Sequence, residues 1–262
     1  MSKKINQEDV IFLAGGSGMV GSSIKRNLLK NGYGIGKNSR KILSPSRKEL
    51  DLLDFKSVKD WFEVNNPTVV IIAAAKVGGI YANQNYPADF IFENLKIQSN
   101  IIECAWSKGI KRLLFLGSSC IYPKYATQPI KEENLLEGGL ESTNEPYAIA
   151  KIAGMKLCEA LRIQYGFDAI SLMPTNLYGP NDNYHPENSH VMAALIRKFM
   201  IAKLKNLPQV TCWGSGNVLR EFMHVDDLAE AIIYCLEYWD PSDLNAPKDC
   251  NGKKLNFLNV GT

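Results

Sequence analysis

The chain has 262 residues, with 30 Lys and Arg against 27 Asp and Glu for a formal charge of +3, and 45% of it is hydrophobic, 22% charged and 10% aromatic. At roughly 150 residues per domain this is one large domain or two small ones, long enough to bury roughly 70–75% of its unfolded surface without a disulfide or metal staple. The composition excludes a disordered, collagen-like or coiled-coil protein, and the scattered cations are no nucleic-acid footprint. Along the chain, Val10-Ile-Phe-Leu-Ala14 is an apolar run ending in glycines and reads as a buried strand. Residues 19–30 show helical periodicity through Val20, Ile24 and Leu28, closed by Asn31-Gly32. A short strand is predicted at 41–44. A helix follows at 57–65, where Val58, Trp61 and Phe62 share a face and Asn66-Pro67 stops it. Strands at 68–75, 111–116 and 168–173 alternate with helices at 87–107 and 146–165. After Tyr178 the rhythm breaks into a polar loop, then a helix at 190–203, a strand at 208–213 and a helix at 226–238.

Strands alternating with helices predict an α/β fold, a Rossmann-type doubly wound parallel sheet with right-handed crossovers. We assign residues 1–178 to a nucleotide-binding domain, to which part of 208–240 returns. Residues 179–262 read as a smaller C-terminal substrate lobe over the carboxyl edge of the sheet.

No apolar run approaches the ~20 residues of a membrane helix. The longest, Val69-Val-Ile-Ile-Ala-Ala-Ala75, has strand length. The first nine residues lack an apolar segment and carry acids, so no secretory signal is expected. Cys104, Cys120, Cys158, Cys212, Cys235 and Cys250 form no CxxC pair. They read as reduced, mostly buried thiols of a cytoplasmic protein. His185, His190 and His224 do not stand at zinc-ligand spacing with cysteine, so no metal is expected.

Gly15-Gly16-Ser17-Gly18-Met19-Val20-Gly21 joins the first strand to the first helix. The spacing of Gly15, Gly18 and Gly21 suits a dinucleotide: one glycine for the tight turn, one for backbone approach to the pyrophosphate, one for helix–strand packing. The positive end of the helix then faces the phosphates. Readers of NAD place an acid after the second strand to hold the ribose 2′-hydroxyl. Here Ser44-Pro45-Ser46-Arg47-Lys48 offers two cations and no acid before Glu49, which favours the 2′-phosphate of NADP(H) on Arg47. The alternative is that Arg47 and Lys48 merely edge a solvated loop.

Tyr147 and Lys151 stand four residues apart on one helix face. An adjacent ammonium is expected to lower the phenol pKa and ready Tyr147 to hand a proton to a carbonyl oxygen. Gly117-Ser118-Ser119 ends the fourth strand and delivers a hydroxyl to the same edge. Together with the glycine loop, Ser118, Tyr147 and Lys151 resemble the extended short-chain dehydrogenase/reductase family. The similarity extends to Ala74-Ala-Lys-Val-Gly-Gly-Ile80, Gly117-Ser-Ser-Cys-Ile-Tyr-Pro123, Asn144-Glu-Pro-Tyr-Ala-Ile-Ala-Lys151 and Met173-Pro-Thr-Asn-Leu-Tyr-Gly-Pro180. It continues in Asn188-Ser-His-Val191, Trp213-Gly-Ser-Gly216 and Arg220-Glu-Phe-Met-His-Val-Asp-Asp227.

These motifs are similar to a branch of 3,5-epimerase-4-reductases acting on a 4-keto GDP-sugar. A 4-ketone acidifies the hydrogens on C3 and C5, and inverting those centres takes an acid and a base. By resemblance Cys120 and His190 are that pair, while Ser118 and Tyr147 hold O4 and Lys151 orients the cofactor. The resemblance also implies Leu116, Gly117, Ser119, Pro174, Thr175, Asn176, Leu177 and His190 at the nicotinamide end. It implies Asn176, Lys198, Trp213 and Arg220 at the GDP moiety, and a homodimer through two long helices. Phe90, Ile91, Ile101 and Ile102 suit that contact or a core equally. Ser17 stands where some members carry Arg, which puts more of the 2′-phosphate on Arg47. Members continue several dozen residues past Leu258-Asn-Val-Gly-Thr262, so the lobe is expected to be incomplete. Related 4,6-dehydratases place an acid near the serine, where this chain has Ser119-Cys120-Ile121. An NADP-binding module without turnover is the non-enzymatic alternative.

Overall fold

The computed structural model describes residues 2–35, 42–186, 188–212 and 214–262. In chain order its elements are β1 (Ile11–Ala14), α1 (Met19–Lys30), β2 (Ile42–Leu43), α2 (Phe55–Asn65), β3 (Val69–Ile72), α3 (Ile80–Asn85), α4 (Pro87–Ser107) and β4 (Arg112–Leu116). Then come α5 (Glu145–Tyr165), β5 (Ala169–Pro174), β6 (Asn176–Tyr178), α6 (Val191–Leu204), β7 (Phe222–His224), α7 (Val225–Tyr238) and β8 (Phe257–Val260). Local chemistry sets several boundaries. Asp54 caps α2 by accepting the Lys56 N–H at 3.0 Å, Pro87 opens α4, and Gly166 closes α5 at φ 67°.

Six strands form one parallel sheet in the order β2-β1-β3-β4-β5-β8. β1, β3, β4 and β5 are buried along their whole length, as strands covered on both faces must be. One face packs Phe12, Val70 and Phe115 against Val58 and Phe62 of α2, Ile101 and Ile102 of α4 and Met155 of α5. The other packs Leu13, Ile71 and Leu114 against Ile24 and Leu28 of α1 and Leu228 and Ile232 of α7. Phe90, Ile101 and Ile102 are therefore core residues and Ile91 is half-buried. The chain turns opposite ways across the sheet on leaving β1 and β3, and a crevice opens above the carboxyl ends of these two neighbouring strands.

The stretch 179–262 divides in space. α7 covers the sheet and β8 extends it, pairing Ser171 to Pro174 with Phe257 to Val260. α6 and the two-stranded β6–β7 sheet stand at the carboxyl edge. The strand expected at 208–213 does not form: residues 208–212 are irregular, and Trp213 lies outside the described residues, as does Lys41 of the predicted 41–44 strand. The small sheet stops at β6 and β7, and the Thr211 carbonyl of the 208–212 run is taken by the Lys198 side chain instead of a neighbouring strand.

Arg112 opens β4 with its side chain fully buried. Its guanidinium pairs with Asp168 before β5 and donates to the carbonyls of Cys235 and Trp239 at the end of α7. Asp168 also pairs with Arg162, which bonds Asp240 at 3.1 Å, itself 2.7 Å from Lys4. One cation thus ties two strands to the returning helix. Arg112→Met leaves Asp168 and two carbonyls short of a donor, and should cost about 3 kcal/mol, read as a lower urea midpoint.

Candidate active site

The crevice begins at the glycine loop. Gly15 sits at φ +83°, and a Cβ there would lie 2.7 Å from the Ala74 backbone after β3. A Cβ on Gly21 would lie 2.1 Å from the Gly15 carbonyl. Both are excluded by backbone, so the loop folds only with glycine at these places. Gly18 differs: a Cβ there would meet only the Gly15 carbonyl, at 3.5 Å, and the residue is exposed. Gly18 caps α1 without a side-chain bond, so the first-turn N–H groups face outward as an anion site. This cradle fits a dinucleotide pyrophosphate. Gly16 abuts Ser44, which brings the chain leaving β2 beside the loop. Arg47 is exposed in the next turn. Glu49, the nearest acid, spends its carboxylate on the Ser46 N–H at 2.7 Å.

The carboxyl end of β4 supplies the second part. Ser118 caps a single turn (Ser119–Ile121) and accepts the Cys120 N–H at 3.4 Å. A Cβ on Gly117 would strike Met173 at 2.1 Å, so glycine lets β4 and β5 leave the sheet side by side. Lys151 of α5 is buried, and its ammonium donates to the Leu116 carbonyl at 2.8 Å above the Phe115 ring. One turn earlier, Tyr147 hydrogen-bonds Ser118, with the Phe90 ring edge-on at 6.3 Å. Gln98 of α4 donates to the Ala150 carbonyl at 2.6 Å, and Gly154 lets Phe115 and Gln98 approach α5.

Ser118, Cys120, Tyr147 and Lys151 are therefore brought together, and burial dominates their electrostatics. Desolvation lowers Lys151 to about 8, against the pull of Cys120. It raises the Tyr147 phenol, as does the Cys120 charge, and the Ser118 hydrogen bond offsets only part. The expected lowering of the phenol by Lys151 is thus not found in the protein alone. The Lys151 Nζ is aimed at Leu116 and lies 5.7 Å from the Tyr147 ring centre. Cys120 is raised by burial and drawn down by Ser118 and Lys151.

His190 caps α6 at the rim. Its ring is open to solvent on one side and crowded by protein elsewhere, and that desolvation holds its pKa below 6.5 against Asp182. No hydrogen bond joins it to Ser118, Cys120 or Tyr147 among the described residues. Pro174 to Leu177 lead from β5 into β6, where Thr175 donates its N–H to the Val260 carbonyl at 3.1 Å and Asn176 donates to Glu221 at 3.0 Å. Lys198 of α6 donates to the Thr211 carbonyl at 3.1 Å, and the exposed Arg220 to Leu219 at 2.9 Å. No group of three metal-ligand side chains occurs among the described residues. Sequence reasoning gave Phe90 only a helix contact or a core place, not one beside Tyr147, and missed Asn94 and Gln98. The last two are polar residues on the buried stripe of α4, and that interruption is the signal that marks them.

Residues 11–246 match the NAD dependent epimerase/dehydratase family. The chain is 57% identical over 227 residues to GDP-L-fucose synthase 1 of Arabidopsis thaliana, covering 87% of this chain and 68% of that one. It is 56% identical over 252 residues to the GDP-L-fucose synthase of Escherichia coli (strain K12), covering 96% and 75%. A solved GDP-L-fucose synthetase from Naegleria fowleri bound to NADP superposes with a TM-score of 0.81 at 29% identity, covering 100% and 79%.

The two kinds of glycine separate experimentally. Gly15→Ala should lower the melting temperature of the free protein. Gly18→Ala should leave it unchanged while weakening dinucleotide binding about tenfold in a titration, roughly the loss of one good phosphate contact.

Proposed function

The chain belongs to the NAD dependent epimerase/dehydratase family, and we infer that it makes GDP-L-fucose from GDP-4-keto-6-deoxy-D-mannose with NADPH. The residue set of the site carries the reading: a serine–tyrosine–lysine set at the sheet edge together with the thiol of Cys120. The relatives' names and the NADP-bound neighbour support it. The dinucleotide would be held by Gly15 to Gly21, with Arg47 for its 2′-phosphate and Leu116 to Ser119, Pro174 to Leu177 and Lys151 for its nicotinamide end. When bound, NADPH supplies the hydride for C4.

The residues manage the protons. Ser118 and Tyr147 donate hydrogen bonds to O4, and the charge that gathers there as a C3 or C5 proton leaves is stabilised by them. Cys120 and His190 remove and return those protons on opposite faces, so each inversion conserves protons. Tyr147, kept protonated by its raised pKa, then gives its proton to O4 as C4 is reduced. Lys151 holds the strand end through the Leu116 carbonyl and would hold the nicotinamide ribose. Asn176, Lys198 and Arg220 take the GDP moiety at the lobe. We place the activity in the cytoplasm, where free thiols such as the exposed Cys212 and Cys250 stay reduced. A homodimer would use the outer faces of α4 and α5, where Phe92 and Ile149 are exposed. Charging both residues should give monomers in light scattering, and a dimer that persists rejects this face.

The deciding assay follows NADPH loss on GDP-4-keto-6-deoxy-D-mannose and identifies the sugar formed. GDP-L-fucose is expected. Cys120→Ser or His190→Asn should keep NADPH loss and yield a 4-reduced sugar with uninverted centres. The His190 pKa lies below 6.5, so the imidazole is a neutral base at pH 7. Inversion should therefore fall only as pH drops through that lowered value, and the NADPH loss that His190→Asn retains should show no such limb. Lack of NADPH loss despite NADPH binding would favour the binding module.

A further inference from the structure

The segment that leaves β3 passes the site and meets the loop that carries His190. Two buried asparagines shape this segment. Asn94 of α4 clamps Lys76, accepting its N–H at 2.9 Å and donating to its carbonyl at 3.0 Å. Asn83 of α3 donates to the carbonyls of Gly78 and Gly79 at 2.8 and 3.1 Å. Its own Oδ1 is buried with no hydrogen-bond partner among the described residues, so Asn83 accepts a desolvation cost to hold this turn.

Gly79 then touches the His190 loop directly. Its N–H donates to the Asn188 carbonyl at 3.2 Å, and a Cβ on it would lie 2.6 Å from the Ser189 carbonyl. The backbone of Gly79 is at φ −66° and ψ −178°, open to any residue. Its own conformation therefore does not call for glycine; the approach of Ser189 does. Asn188 and Ser189 are the two residues before His190, whose helix has no side-chain cap to fix its start. The backbone before His190 is thus held in part from the β3 side, alongside the bond from the Asn188 N–H to the His185 ring at 3.3 Å.

We propose that Gly79, held by Asn83, is a positioning residue for His190. The proposal rests on the proton-exchange role given to His190 above. Any side chain at 79 pushes the Ser189 carbonyl, and His190 with it, away from the crevice. Displacements of about 1 Å at a reacting group can cost on the order of 100-fold. The hydride step, which depends on Ser118, Tyr147 and Lys151, should be spared.

The test compares Gly79→Ala, Asn83→Leu, His190→Asn and the Gly79→Ala/His190→Asn pair in the full chain. The readout is the ratio of uninverted to inverted sugar formed during NADPH oxidation. Gly79→Ala and Asn83→Leu should raise that ratio about tenfold or more. The double variant should go no further than His190→Asn alone, because both act on one group. Ser189→Ala keeps the carbonyl and should behave as wild type. A loss of general stability would lower both steps together and leave the ratio unmoved. A wild-type ratio in Gly79→Ala, beside a changed one in His190→Asn, overturns the proposal.

A normal ratio in His190→Asn rejects instead the role of His190. The imidazole proton signals of the free protein then decide the positioning claim without turnover. With the His190 signal identified by its loss in His190→Asn, Gly79→Ala should shift it and leave that of His224 in place. An unmoved His190 signal also overturns the proposal.

Discussion

A buried ammonium must find acceptors, and in this fold Lys151 finds the carbonyl that ends β4. That bond fixes α5 across the end of the strand. Tyr147 lies one helical turn away and so comes to Ser118, which stands two residues past Leu116. Ser118 in turn receives the N–H of Cys120. The phenol, the hydroxyl and the thiol are consequences of one helix–strand connection. Its supports are buried as well: Gln98 bonds α5 beside Lys151, and Gly154 allows the approach that makes this bond possible.

The cofactor cradle depends on the opposite device, the removal of side chains. β1 and β3 are neighbours in the sheet, and their following loops must cross at van der Waals distance. Gly15 and Gly21 meet backbone there, so their role is internal to the fold. A Cβ on Gly18 would make only an ordinary contact, so its bareness serves what approaches from outside. Gly79 repeats the first logic at the other rim, where it meets Ser189. Close backbone contacts at both rims give the crevice a defined width.

The lobe is anchored on the helix that carries the cofactor end. Asn181 donates to Ser22 at 3.0 Å, Ser23 bonds Asp226, and Arg26 pairs with Asp226 at 2.7 Å. The side chain of Asp226 therefore reaches α1 from the first turn of α7, and those bonds draw its carboxyl pKa down. The chain leaves the sheet at β5, forms the rim, and returns through α7 and β8. The rim is thus tied to the sheet domain at both ends.

The sequence by itself determined the repeating strand–helix order, because hydrophobic period and glycine or proline stops are local properties. α1 and α4 begin and end where their patterns do. The glycine loop and the Ser118, Tyr147 and Lys151 set were likewise legible, since each lies within a few residues of a strand end or on one helix face. The tertiary structure decided what depends on distant partners. β6 and β7 are three residues each and exist only as a pair, and β8 exists only because β5 offers an edge. The direction of the Tyr147 pKa was set by burial, which no spacing along a helix reports. The backbone before His190 was held in part by a glycine more than a hundred residues earlier, through a contact between two backbones that side-chain patterns do not record.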